Sequence, residues 1–348
     1  MKKHLTLVLS FLFLLTACAH NYIPEAKVTF KVVDMHGNPI PNEDATLGFS
    51  PTIGFHGKTD ENGYFTGRGR TESDYVFSVA RESNKYYRTR FSKDIAHWKD
   101  YPKDGKWKPW NETIKIVVKE EINPIPMYAN GINFKTNIPV VDEWVGYDFE
   151  YNDWVAPHGK GIVADIEVSL SEEKPTEEDE IETLKIRFPY PLAGAYVMKK
   201  DLNCDLKSVY HANPNATYQQ EITWYKKLQT KDELNHPLFR KERRFIPTTR
   251  IIEEKILSKD DYLIFRTRTK VDENGNLIEA RYGKIYGPIE FLLNPTDERP
   301  SYRKRVTLWN YYLNPTVNDT NLEYDSKRNL LIDKVKPRER VNYSGVWP

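Results

Sequence analysis

The sequence predicts a mostly β chain in which a small β-sandwich is followed by a larger β-rich domain. Two observations carry this. Tyrosine and proline are abundant, 22 of each in 348 residues, and such usage favours strands and turns over long helices. Short runs of alternating apolar and polar residues recur along the chain, bounded by Gly, Pro, Asn and Asp, while helical periodicity is thin.

Length and composition set the outer limits. The chain is long enough for two or three domains at roughly 100–200 residues each, and its hydrophobic fraction of 39% allows packed cores. Charged residues almost cancel, with Lys+Arg 51 against Asp+Glu 50. A chain so balanced has no broad field to gather nucleic acid, which is excluded as a partner. The two cysteines, Cys18 and Cys204, exclude a disulfide framework if the first is modified. Cys204 has Asp205 beside it, which disfavours a reactive thiolate.

The first element is an address. Met1-Lys2-Lys3-His4 is a positive start, and Leu5 to Leu15 is an apolar run of about a dozen residues, short of the about 20 that span a bilayer. It closes on Leu15-Thr16-Ala17-Cys18. This closing motif resembles the bacterial lipobox. The resemblance implies a signal peptide over 1–17, cleavage before Cys18, a diacylglycerol thioether on Cys18 and fatty N-acylation. Two or more chains hold a protein to a membrane stably. The membrane is therefore an expected partner. The resemblance also places the protein outside the cytoplasm, and Ala19 in place of Asp points to the outer membrane.

After a tether over 18–26, the alternating run Val28 to Val33 predicts a strand. Asp34-Met35-His36-Gly37-Asn38-Pro39-Ile40 predicts a turn, 45–49 a second strand, and Thr59-Asp60-Glu61-Asn62-Gly63-Tyr64-Phe65 another turn entering a strand. Segments 75–81 and 113–119 also alternate. The elements Asp34, Gly37, Pro39, Ile40 and Thr59, Asp60, Gly63, Phe65 resemble the two motifs of the carboxypeptidase regulatory-like module, a prealbumin-type β-sandwich. The resemblance covers about 27–121 and implies a folding, spacing or binding unit without catalytic residues.

Residues 83–112 read as a long insertion in that module, and long loops are commonly functional. It carries His97, Trp98, Tyr101, Trp107 and Trp110. Aromatic faces on a loop can stack on sugars or peptides, which makes Trp98, Tyr101, Trp107 and Trp110 ligand-binding candidates. The alternative is that the tryptophans fold back as a cap on the sandwich.

Asn123-Pro124-Ile125-Pro126 reads as a boundary, with a linker over 122–127. A β-rich domain follows over 128–335, and then a tail over 336–348. Its predicted strands are 132–141, 144–150, 162–170, 183–189, 194–199, 261–271, 277–282 and 306–313, with a short pair at 321–324 and 329–333. Asn274-Gly275 marks a hairpin. Ser171 to Glu182 reads as an acidic solvated loop, and 219–229 is the best helix candidate.

Asp153, Trp154 and His158 form the most chemically varied cluster, beside Lys160 and flanked by Gly159 and Gly161. They are ligand-binding candidates too, against the plainer reading of a strand-to-strand corner. The sequence holds no zinc-protease, nucleophile-elbow or phosphate-loop motif, and its histidines are scattered. Asp60 to Gly63 and Asp272 to Gly275 share residues with calcium loops but lack their spacing and read as turns. No cofactor, metal or catalytic residue is assigned. The leading expectation is a membrane-anchored extracytoplasmic protein that binds a glycan, a peptide or an envelope partner without catalysis. The alternative is a surface hydrolase, which needs two carboxylates converging across a cleft in residues 127–335.

Overall fold

The computed structural model describes residues 23–49, 53–72, 74–81, 83, 85–95, 102–131, 136–199, 209–234, 245–258, 261–293, 304–306 and 310–334. All regular structure among them is strand. The lipobox with Cys18, the aromatics Trp98 and Tyr101, Cys204 and the tail 336–348 lie outside the described residues. The chain divides into two units, one ending at Glu121 and one starting at Ile122.

The first unit is a sandwich of a three- and a four-stranded sheet. Strand β1 (Glu25–Val33) lies between β4 (Tyr64–Arg70), which is antiparallel to it, and β7 (Glu112–Val117), which is parallel. The second sheet runs β3 (Ile53–Lys58), β2 (Asp44–Phe49), β5 (Asp74–Val79), β6 (Thr89–Asp94). Alternation in β1 sends Val28, Phe30 and Val32 inward, where Phe30 stacks on Phe77 at 4.0 Å. Strand β6 falls within the expected insertion, so part of 83–112 belongs to the sandwich itself.

Both predicted turns form by one device. Asp34 Oδ1 accepts the N–H groups of His36 and Asn38, and Asp60 Oδ1 accepts those of Asn62 and Tyr64. In each, the glycine three residues on, Gly37 or Gly63, sits at positive φ and donates to the aspartate's carbonyl. The Asp272 turn repeats the pattern with Asn274, Gly275 and Asn276. In all three turns the carboxylate is engaged by backbone.

In the second unit one six-stranded sheet has the order β11 (Asp153–Trp154), β10 (Val145–Asp148), β12 (Ile166–Glu173), β13 (Asp179–Arg187), β15 (Glu221–Leu234), β16 (Phe245–Lys255). The other has β14 (Gly194–Lys199), β17 (Asp261–Val271), β18 (Leu277–Tyr286), β21 (Tyr311–Leu313), β8 (Ile125–Asn130), β22 (Tyr324–Asn329). Phe149, Phe188, Phe265 and Tyr311 share one core with residues from both sheets, including Leu184, Trp224 and Leu263. A smaller sheet joins β19 (Phe291–Leu293), β20 (Lys304–Val306) and β9 (Thr136–Asn137).

Several elements differ from expectation. The stretch 219–229 is strand rather than helix: Ile222 and Trp224 are buried two residues apart, the period of a strand. Most of the acidic stretch 171–182 is strand as well, since β12 and β13 pair through Glu172 and Glu182 and the turn shrinks to 174–178. The expected linker 122–127 is tied in, with Glu323 accepting the N–H groups of Ile122 and Asn123 and β8 beginning at Ile125. The expected end pair is one strand, β22, parallel to β8. The strand predicted at 306–313 is split between β20 and β21, which sit in different sheets.

Candidate functional site

The candidates named from sequence separate by burial. Trp107 packs in the sandwich core at 8% exposure and donates from Nε1 to the Thr71 carbonyl at 2.9 Å. It is a cap, not a ligand platform. Trp110 is half-buried with the Lys106 ammonium 5.0 Å from its ring centroid.

The Asp153 cluster is a corner. Asp153 accepts the Trp154 and Lys160 N–H groups at 2.8 and 3.0 Å, closing the loop on itself. Trp154 is buried at 5% exposure, edge-on to Tyr147, and donates from Nε1 to the Asn137 carbonyl. A Cβ on Gly159 would sit 2.4 Å from the Trp154 carbonyl oxygen, so the loop can close this tightly only on glycine. His158 is exposed, and its backbone N–H bonds Val155. The acid, indole and imidazole therefore do not converge on a common point.

Convergence occurs nearby, at residues the sequence did not single out. Between Thr267 and Lys270 the β17–β18 register shifts, and Arg268 adopts φ +51°. The bulge aims its guanidinium at three acids. Nε and Nη2 bond the two oxygens of Asp165 at 2.7 and 2.8 Å, Nη1 bonds Glu150 at 2.7 Å, and Nη2 reaches Asp148 at 3.1 Å. Arg281 also bonds Glu150, and the Lys334 ammonium lies 3.7 Å from its second oxygen. Three acids thus meet three cations.

Backbone completes the shell. Asp148 accepts N–H groups from Glu150, Tyr151, Ile162 and Val163, and Asp165 accepts that of Phe149. Burial pushes the Asp165 carboxyl up to about 6, against the pull of Arg268. Burial works against the Arg268 charge as well, but its bonds to Asp165 and the charges of Glu150 and Asp148 outweigh it, and its pKa moves up. The two aspartates each accept three or more hydrogen bonds, and Glu150 accepts from two arginines. They brace the segment 147–165 against β17. Among the described residues no group of three or more His, Cys, Asp or Glu is placed to hold a metal ion.

Sequence reasoning missed this cluster because Arg268 lies 103 and 118 residues from Asp165 and Glu150. No local signal marked it, since Thr267-Arg268-Thr269 continues the alternation of its strand.

No family model matches the sequence, and no curated protein matches it. Among solved structures the chain is similar to 3-chlorocatechol 1,2-dioxygenase from Rhodococcus opacus, at 14% identity and a TM-score of 0.22 over 28% of this chain and 60% of that one. It is also similar to BcpA, the major pilin subunit of Bacillus cereus, at 12% identity and a TM-score of 0.21 over 66% of this chain and 95% of that one. Likenesses this distant carry no argument about activity.

Proposed function

We propose that this chain is a lipid-anchored, extracytoplasmic binding protein that does no chemistry of its own. The observation that carries the reading is the N-terminal run ending in Leu15-Thr16-Ala17-Cys18, where positive charge, apolar stretch, small residues and cysteine fall in register. Lipid on Cys18 would hold the protein at a membrane, and the absence of Asp after the cysteine favours the outer one. The paired motifs at Asp34 to Ile40 and Thr59 to Phe65 support reading the first unit as a regulatory-like module that spaces or binds. A non-catalytic role is supported by the way Asp148, Glu150 and Asp165 are spent on Arg268 and on backbone.

The test is fractionation and mass spectrometry of the protein made in a lipoprotein-processing bacterium. The expected mature N-terminal peptide begins at Cys18 and carries acyl chains, and Cys18→Ala moves the protein out of the membrane fraction. An unmodified thiol in membrane-independent protein would overturn the proposal.

A further inference from the structure

In the four-stranded sheet of the first unit, Ala45, Leu47, Phe77 and Val79 point into the core, so their neighbours form the outer face. Cross-strand register lines those neighbours up. Thr46 stands opposite both His56 and Ser78, and Ser78 opposite Arg90. The row across β3, β2, β5 and β6 is thus His56, Thr46, Ser78, Arg90. Thr46 and His56 hydrogen-bond at 3.2 Å.

One row further on, Lys58 faces Asp44, with ammonium and carboxylate 4.0 Å apart and both more than half exposed. Arg81 follows β5 at the same end, and Arg88 precedes β6. A concavity of about 520 Å³ opens there, lined by Asp44, Ala45, Thr46, His56, Gly57, Lys58 and Arg81. Burial, and then the charges of Arg81 and Arg90, push Arg88 below the ordinary arginine value. Asp44 pairs with Lys58, and at the edge Glu43 accepts from Ser83.

We infer that this outer face binds an acidic polysaccharide, with Arg81, Arg90 and Lys58 taking its anionic groups and Thr46 and His56 its hydroxyls. This deepens, and rests on, the reading of the chain as a binding protein. Charge complementarity selects an anion. Cations standing beside a hydroxyl and an imidazole on one face suit an extended polymer bearing both anionic groups and hydroxyls.

Position selects against a headgroup surface. The chain enters at Glu25, whereas Asp44 and Ala80 are linked through Glu43, Thr59 and Ile40 to Val32 near the far end of β1. At about 3.3 Å per residue the cationic end lies roughly 23 Å along the strand from the tether.

The test uses the full chain in detergent, with labelled polygalacturonate and dextran sulfate as probes, neutral dextran as control and phosphatidylglycerol vesicles as the competing surface. The acidic polymers are expected to bind and to be released by salt. R81Q/R90Q is expected to weaken binding by about tenfold or more, while R81K/R90K keeps most of it. Both positions are exposed, and unchanged thermal melting would verify the fold. Equal binding of neutral dextran, wild-type affinity in R81Q/R90Q, or retention by vesicles but not polymers would overturn the inference. Loss of polymer binding with Cys18-dependent membrane retention intact would overturn it alone. Polymer binding by a chain without lipid would overturn only the anchor.

Discussion

Arg268 grips Asp165 through two parallel hydrogen bonds, Nε to Oδ1 at 2.7 Å and Nη2 to Oδ2 at 2.8 Å, across 103 residues of sequence. The carboxylate is fully buried, and the Arg268 side chain is 16% exposed. Removing one partner strands the other. Arg268→Met is expected to cost about 3–5 kcal/mol, measured by urea unfolding of the second unit. The double variant with Asp165→Asn should lose clearly less than the sum of the two single changes. Additive losses would mean that the pair is not coupled.

Glu182 gives a pH dependence. It is buried, its Oε1 accepts the Leu293 N–H at 2.7 Å, and its Oε2 has no hydrogen bond among the described residues. Lys226, directly opposite, donates instead to the Phe291 carbonyl. Burial pushes the Glu182 carboxyl from 4.5 up to about 7. The folded state therefore holds a proton that the unfolded chain has already lost, so this contribution is full below the unfolded value and disappears as pH rises through 7. Unfolding free energy is expected to fall by on the order of 1–3 kcal/mol between pH 5 and 8. Glu182→Gln should flatten that decline, and an unchanged slope would remove Glu182 as its source.

The loop tryptophan is a stability residue. Trp107→Ala is expected to destabilise the first unit by about 3–5 kcal/mol. Trp107→Phe, which keeps a ring but loses the bond to Thr71, should lie between. Glycan binding by the folded fraction should be unchanged in both, as read by anisotropy alongside the melt.

Two glycines with similar φ should respond differently. At Gly63 a Cβ would sit 2.4 Å from the Val32 carbonyl oxygen, while at Gly37 nothing lies within 4 Å. Gly37→Ala bears only the backbone cost, about 1 kcal/mol. Gly63→Ala must also displace a carbonyl that accepts from Ile40, and should cost at least about 1 kcal/mol more. Equal melting shifts in the two variants would contradict this.

What the sequence made legible was local. Asp-x-x-Gly turns announce themselves because carboxylate, glycine and backbone lie within five residues, and the Asn274-Gly275 hairpin formed where its chemistry placed it. Strands such as β1 and β17 show their period directly. Strand β15 did not, because Lys226 and Lys227 follow Trp224 and break the alternation where the sheet leaves the core. The Arg268 cluster needed a bulge and two distant loops, none of which has a signature in the residues that form it. Trp107 and Trp154 were visible as aromatics among polar residues, but composition does not reveal which way an indole turns.

The central place of β1 in its sheet has a mechanical consequence. Tension applied at the amino end pulls along that strand, against an antiparallel neighbour on one side and a parallel one on the other. Both ladders are then sheared together rather than peeled bond by bond, and resistance is set by the unfolding barrier rather than by equilibrium stability. A body hung from a surface by this end would withstand drag at the strand that bears it.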